Sequence, residues 1–187
     1  MKPVKRKNGH GCELVLTASG EHGLVAQREY FNRNVAGTDL SSYYTLRNGE
    51  FAYNRSAMNG YPYGAIKRLD AHDEGVLSTL YLCFAIDDAK LDSNFLRHVF
   101  DSSVLNRQLR RIVRVGARAH GLLNVTDEDF FAVRIPLPEL DEQRAIASVL
   151  DGLNLERDLL EEQRKLYRRY KRGLMQRLLS GEIQVPT

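Results

Sequence analysis

The sequence predicts an α+β protein: a mixed, twisted β-sheet domain over residues 1–138, followed within 139–187 by one long C-terminal α-helix that forms an antiparallel coiled coil. Two observations carry the helix. Residues 141–179 contain no proline and are dense in Leu, Glu, Arg and Gln, which are good helix formers. Within them Ile146, Leu153, Leu160, Tyr167 and Leu174 recur at every seventh position, the repeat of a helix that seeks a partner. The third observation lies upstream. Between residues 43 and 86, runs of β-branched and aromatic residues alternate with Asn-Gly and Gly turns, a pattern that predicts sheet.

In chain order, Lys2, Lys5, Arg6 and Lys7 read as a solvated basic tail, with phosphate contact as the alternative. A strand over 14–17 leads into ASGEHGLVAQREYF, where Gly20 and Gly23 bracket Glu21 and His22 in a tight polar turn and Gln27 and Arg28 follow. Tyr43 to Leu46, the turn Arg47-Asn48-Gly49, and Glu50 to Tyr53 predict a hairpin. Next, NRSAMNGYPYGAIKRL combines Tyr53, Tyr61 and Tyr63 with Asn54, Arg55, Asn59, Lys67 and Arg68. Aromatics interleaved with amides and guanidiniums suit a surface that touches bases and phosphates; a decorated surface hairpin accounts for the same composition. Residues 75–86 are apolar on both alternations and predict one buried central strand.

Beyond the acidic pair Asp87-Asp88, helical spacing of Phe95, Leu96, Val99 and Phe100 predicts a helix from Asp92 or Ser93. Residues 105–115 carry Arg107, Arg110, Arg111 and Arg114 on either a helix or a strand. GARAHGLLN places Arg118, His120 and Asn124 in a polar loop, and 129–135 return to the sheet. Pro136 and Pro138 end that strand and mark the domain boundary, because neither donates to a ladder and both disfavour helix just before themselves. Leu140 and Asp141 supply a staple and a capping oxygen for the long helix, and Gly181 stops it.

The helix measures on the order of 58 Å at about 1.5 Å per residue. Its charge is polarised: residues 141–162 hold seven acidic and two basic side chains, residues 163–179 seven basic and no acidic ones. Parallel copies would stack like on like; antiparallel copies set acidic halves against basic ones. The positions expected at the partner helix are Ile146, Val149, Leu153, Leu160, Tyr167, Tyr170, Leu174 and Leu178. Glu156, Gln163 and Arg177 make the second seam column half polar, and the pattern leaves the register open. Gly152 and Gly173 each cost roughly 1 kcal/mol relative to Ala inside a helix, so either another backbone approaches them closely or the helix tolerates them.

Composition narrows the function classes. Of 187 residues, 43% are hydrophobic and 27% charged, the balance of a protein with a genuine core. The two cysteines, Cys12 and Cys83, are isolated, and the N-terminus has no apolar stretch of signal-peptide type, so a cytoplasmic setting away from membranes is expected. Net charge is +3, compatible with nucleic acid but too mild to argue for it alone. The five histidines show no ligand spacing, and P-loop, GxGxxG, GxSxG and HExxH motifs are missing. No catalytic residue, metal or directly bound cofactor is expected.

The run IPLPELDEQRAIASVL followed by YKRGLMQRLLSGEIQV resembles the junction and conserved helix of type I restriction-modification specificity subunits, and LTASGEHGLVAQREYF, GEFAYNRS, GYPYGAIKRL and GVLSTLYLCF resemble one target recognition domain of that family. The resemblance implies a non-catalytic, double-stranded-DNA-reading subunit whose helix fixes the spacing to a second recognition domain. It also implies methyltransferase (M) partners that bring S-adenosylmethionine, and assembly with restriction (R) subunits. A complete member carries two recognition domains and two helices; one of each is expected here, in a homodimerising half-subunit, a truncation product or an isolated domain, with room for a missing opening strand. The DNA-reading candidates are His22, Gln27, Arg28, Asn54, Arg55, Asn59, Tyr61, Tyr63, Lys67, Arg68, Arg118 and His120. Among them Arg55, Lys67, Arg68 and Arg118 suit guanine edges or phosphates, and Gln27, Asn54 and Asn59 suit adenine edges. A protein-binding coiled-coil adaptor, a nuclease built on scattered acidic residues, and a remnant that never assembles are the rival readings.

Overall fold

The computed structural model describes residues 1–31, 37, 39–87, 89–115 and 122–184. The chain divides into two compact units, Met1–Arg144 and Ala145–Thr187. Among the described residues no helix is long and apolar enough to cross a membrane.

The first unit is built on β1 (Lys2–Pro3), β5 (Phe51–Asn54), β6 (Ala65–Arg68) and β8 (Tyr81–Ala85), an antiparallel sheet in the order β1-β8-β5-β6. Beside it lie two antiparallel pairs, β2 (Leu16–Ser19) with β3 (Gly23–Ala26), and β4 (Tyr44–Arg47) with β7 (Glu74–Leu77). A parallel bridge between Val15 and Val76 and an antiparallel one between Lys7 and Tyr44 join these pieces. Phe51, Ala52 and Tyr53 are all buried, because both faces of the sheet are covered and alternation then disappears from the sequence. Ala52 faces an aliphatic cluster with Leu16, Leu24, Leu46, Leu77 and Cys83. On the other face Phe51 stacks on Phe84, and Phe100 meets both rings edge-on.

Helices cap that aromatic face. In α2 (Ser93–Asp101) the Asp92 carboxylate accepts from the Phe95 N–H at 2.8 Å, and Phe95, Leu96 and Phe100 point inward, an N-cap followed by an apolar stripe. The short helices α1 (Gln27–Phe31), α3 (Asn106–Ile112) and α4 (Asp127–Phe131) complete the unit with a small ladder of β9 (Arg114–Val115) on β10 (Leu123–Asn124). The second unit is the long helix α5 (Leu140–Leu179) from Ala145 onward, with its C-terminal turn.

Four local expectations change. The run 75–86 is two strands, not one: Ser78 to Leu80 form a turn closed by the Tyr81 N–H on the Ser78 carbonyl at 3.1 Å, so β7 pairs with β4 while β8 pairs with β5. The Arg47-Asn48-Gly49 turn forms, with the Glu50 N–H on the Arg47 carbonyl at 3.0 Å, yet β4 and β5 do not pair with each other. The N–H groups of Asn48 and Gly49 go instead to Asp73 and Leu69 carbonyls, and the Glu50 carboxylate takes the Arg47 N–H and the Arg6 guanidinium. Residues 129–135 do not return to the sheet. Thr126 caps α4 through its hydroxyl, Phe130 stacks on Tyr53, and the Gln108 amide holds both backbone groups of Arg134 in place of a ladder. The basic opening is no solvated tail: β1 pairs with β8, Arg6 clamps Glu50, and the Lys7 ammonium reaches the Ser42 carbonyl and lies over the Tyr44 ring.

The long helix has the expected extent, 40 residues, or about 60 Å. It begins one residue before the expected cap, so Asp141 lies in its first turn with Glu142, where carboxylates favour the helix dipole. At its end Gly181 takes φ +76° and the Ile183 N–H bonds back to Arg177 at 3.1 Å, a glycine-closed terminus.

Candidate nucleic-acid interface

Two turns come together at one edge of the first unit. The turn between β2 and β3 is shaped by the Ser19 hydroxyl, which accepts from the Glu21 and His22 N–H groups at 3.3 and 3.2 Å. The tip after β5 closes when Met58 and Tyr61 exchange backbone bonds. Tyr61 donates its hydroxyl to the Gly20 carbonyl at 3.2 Å, which lays the tip against the turn. His22 and Asn59 both project from this paired structure as exposed side chains.

Lys67 stands beneath them. It is buried at 6% exposure, and its ammonium donates to the Asp101 carboxylate at 2.6 Å, the Tyr61 hydroxyl at 2.8 Å and the Gly20 carbonyl at 3.0 Å. A lysine has three N–H donors, and all three are engaged inside the protein. The ammonium also lies 4.5 Å from the Tyr61 ring centroid, a cation–π contact. Its neighbour Arg68 bonds Asp70 and the Ser93 hydroxyl. Lys67 and Arg68 thus hold opposite ends of α2.

Asn54 fixes the start of the tip, its amide oxygen accepting from the Ser56 N–H at 3.1 Å and its amide group donating to the Met58 sulfur. Tyr63 lends its carbonyl to the buried Tyr53 hydroxyl at 2.7 Å; burial pushes the Tyr53 phenol up to about 12. Gly64 follows at φ +85°, where a Cβ would stand 2.4 Å from the Asn54 carbonyl oxygen. Only glycine fits this close approach.

Arg55 belongs to a different cluster. Its guanidinium donates to Asp127 at 2.6 Å, and Lys5 reaches the other carboxylate oxygen at 2.8 Å. The hydrogen bond from Lys5, with help from Arg55, holds the Asp127 carboxyl below its usual range and raises Lys5 in return. The Arg55 Nε is buried without a partner among the described residues. Gln27 and Arg28 open α1 at the far end of β3 from His22, about 16 Å away at roughly 3.3 Å per strand residue. The sequence-derived set therefore occupies separate places: His22 and Asn59 together over Tyr61 and Lys67, Gln27 and Arg28 at the other end of the hairpin, Arg55 with Lys5. Arg118 and His120 lie outside the described residues.

Sequence reasoning placed Lys5 in a tail and did not single out Gln143. Gln143 is buried at 1% exposure. Its oxygen accepts the Asp92 N–H at 2.9 Å, and its amide donates to the Pro138 and Lys90 carbonyls at 2.9 and 3.2 Å. The first turn of α5 is thereby tied to the residues that introduce α2. The one available signal was its place three, four and seven residues before Ile146, Ala147 and Leu150, on the apolar stripe.

Comparison with known proteins bears on both halves of the chain. No protein-family model matches it. The type I restriction enzyme MjaVIII specificity subunit of Methanocaldococcus jannaschii is 26% identical over 148 residues, covering 75% of this chain and 32% of that protein. The putative type I restriction enzyme MjaX specificity subunit of the same organism is 39% identical over 66 residues, 34% of this chain and 15% of that protein. The chain is similar to type I restriction specificity subunits. Two solved structures share the fold. A chain from work on assembly and conformational transition of the type I R-M system covers 100% of this chain and 47% of its own length, with TM-score 0.64 and 18% identity. The HsdS subunit from Thermoanaerobacter tengcongensis covers 76% of this chain and 37% of its own, with TM-score 0.54 and 21% identity. The chain thus spans about a third of the first curated relative and under half of the solved chains.

Proposed function

We propose that this chain is a non-catalytic, DNA-reading specificity subunit that contacts one half of a split target in double-stranded DNA, while α5 pairs antiparallel with the helix of a second copy. The homodimer carries two identical readers, so the target is an inverted repeat. M subunits, with S-adenosylmethionine in their own sites, dock on this frame, and R subunits join it for restriction in the cytoplasm. The observation that carries the reading is the similarity to a type I specificity subunit over 75% of this chain, supported by a fold match to a type I R-M system chain over all of it. The charge polarity of α5 supports the antiparallel partner.

Within this proposal, His22, Asn59 and Tyr63 at the paired turns and Gln27 and Arg28 on α1 meet bases and phosphates. Asn54, Tyr61, Lys67 and Arg68 hold those segments in place, and Arg55 with Lys5 approaches the backbone. Arg118 and His120 remain candidates on composition alone. The test is selection of bound duplexes from a random pool with the purified chain, followed by a salt titration on the enriched sequence. An inverted repeat with a fixed gap is expected, with affinity falling steeply as salt rises. A pool that stays random, with binding indifferent to salt, would mean that the sheet unit serves a protein partner instead.

A further inference from the structure

We infer that the partner helix is a second copy of α5 in one register, with the twofold axis beside Glu162, so that residue i of one chain lies near residue 324 − i of the other. This inference rests on the homodimer proposed above. It is carried by an apolar face that the chain leaves bare: Leu153, Leu159, Leu160, Leu166 and Tyr167 are all more than half exposed, in adjoining columns of the heptad.

Three independent features share that centre. The helical segment belonging to the second unit runs from Ala145 to Leu179, and its middle residue is Glu162. The change from the acidic to the basic half falls between Glu162 and Gln163, so full-length antiparallel overlap opposes every acidic turn with a basic one. The flanking column containing the two glycines is matched as well. Gly152 meets the second copy's Gly173, and Leu159 meets its Leu166. Neither glycine has a neighbour where a Cβ would stand, so the backbones are free to approach there, and the helix-weakening glycines gain a use.

Registers one heptad away lose this agreement. Moving the axis about 3.5 residues toward the N-terminus draws residues before Ala145, which belong to the first unit, into the overlap. Moving it toward the C-terminus leaves the turn at Val149 and Leu150 without a partner. The chosen register has one adverse approach, Arg157 within a turn of the second copy's Arg164. Each already has an acidic neighbour on its own chain, Asp158 at 2.8 Å and Glu161 at 3.0 Å, so the like charges are offset. The register also sets a length. The two Ala145 positions lie about 51 Å apart along the pair at about 1.5 Å per residue, which is the rise of roughly 15 base pairs at about 3.4 Å each; one heptad of slip changes this by about three base pairs.

Distances between nitroxide labels read the register directly. Cys12→Ser removes the accessible thiol, and the Cys83 thiol is buried, so single cysteines at Asn154, Glu161, Arg168 and Met175 can be labelled one at a time. Each residue from the axis adds about 3 Å between the two labels, twice the helical rise. The expected order of spin–spin distances is Glu161, Arg168, Asn154, Met175, with axial separations of about 3, 18, 24 and 39 Å. Asn154 shorter than Arg168, or Arg168 shorter than Glu161, would move the axis by a heptad and overturn the register while leaving the homodimer intact. Equal distances at all four sites would establish a parallel pair and overturn the inference outright. Absence of any inter-chain distance, with the label shown attached, would remove the homodimer itself.

Discussion

Replacing Lys67 by Met separates a holding role from a contact role at the paired turns. The substitution keeps the length of the side chain and deletes three donated bonds, to Asp101, Tyr61 and Gly20. Losing a buried lysine from a wholly buried pair would cost about 3–5 kcal/mol. Asp101 is 42% exposed in its side chain, so water re-solvates its carboxylate and the ionic share falls toward 1 kcal/mol or less. The Gly20 carbonyl and Tyr61 hydroxyl add about 1 kcal/mol each. The sum is about 2–3 kcal/mol, which at an m value of about 2 kcal/mol per molar lowers the urea midpoint by roughly 1–1.5 M. With the turn and tip no longer pinned, selectivity among duplexes should fall while the salt dependence of binding keeps its slope. An unchanged midpoint, accompanied by a salt slope smaller by about 0.9, would show that Lys67 neutralises a phosphate and would refute the holding role.

Two further outcomes follow from buried polar groups. Gln143→Leu leaves the Asp92 N–H and the Lys90 and Pro138 carbonyls without their side-chain partner, and should destabilise the first unit by about 2–4 kcal/mol, read from its thermal or urea transition. Asp127 has a folded pKa below its unfolded value, chiefly through the Lys5 hydrogen bond, so its contribution is complete above the unfolded pKa of about 3.9 and disappears as pH falls through the folded value. The gap in urea midpoint between the native chain and Asp127→Asn should be level from pH 7 to 5 and narrow steadily as pH falls below the unfolded value; a gap that does not narrow on acidification would contradict the pairing.

The long helix was legible because its signals are local: propensity, a seven-residue repeat and the absence of proline act within one segment. The N-cap at Asp92 was legible for the same reason. The sheet was legible as sheet but not in its pairing. A stretch buried on both faces loses the alternation that reports strand direction and length, which is why residues 75–86 looked like one strand until Ser78 and Thr79 were seen to turn. The turn at Asn48-Gly49 was likewise correct as a turn and silent about the carbonyls of Leu69 and Asp73 that draw its N–H groups away from a simple hairpin. At the candidate interface, composition identified residue types suited to DNA but could not tell a side chain facing solvent from one consumed by the fold. Lys67 and Asn59 are alike in that reading; one is locked by Asp101, Tyr61 and Gly20, the other stands exposed.

Burial along the stripe of α5 shows where the chain's own resources end. Gln143 and Ala147 are buried, Ile146 and Leu150 are half-buried, and Leu153, Leu160 and Tyr167 are more than half exposed. The same stripe is therefore covered at its start and bare for the rest. A leucine left in water forgoes roughly 1.5–3 kcal/mol that full burial would return, and the bare part carries several. Acidic and basic halves that match on reversal suit that bare surface to the second copy proposed above. In the first unit His22, Asn59 and Arg28 are exposed, while Lys67 and Arg55 are paired with Asp101 and Asp127.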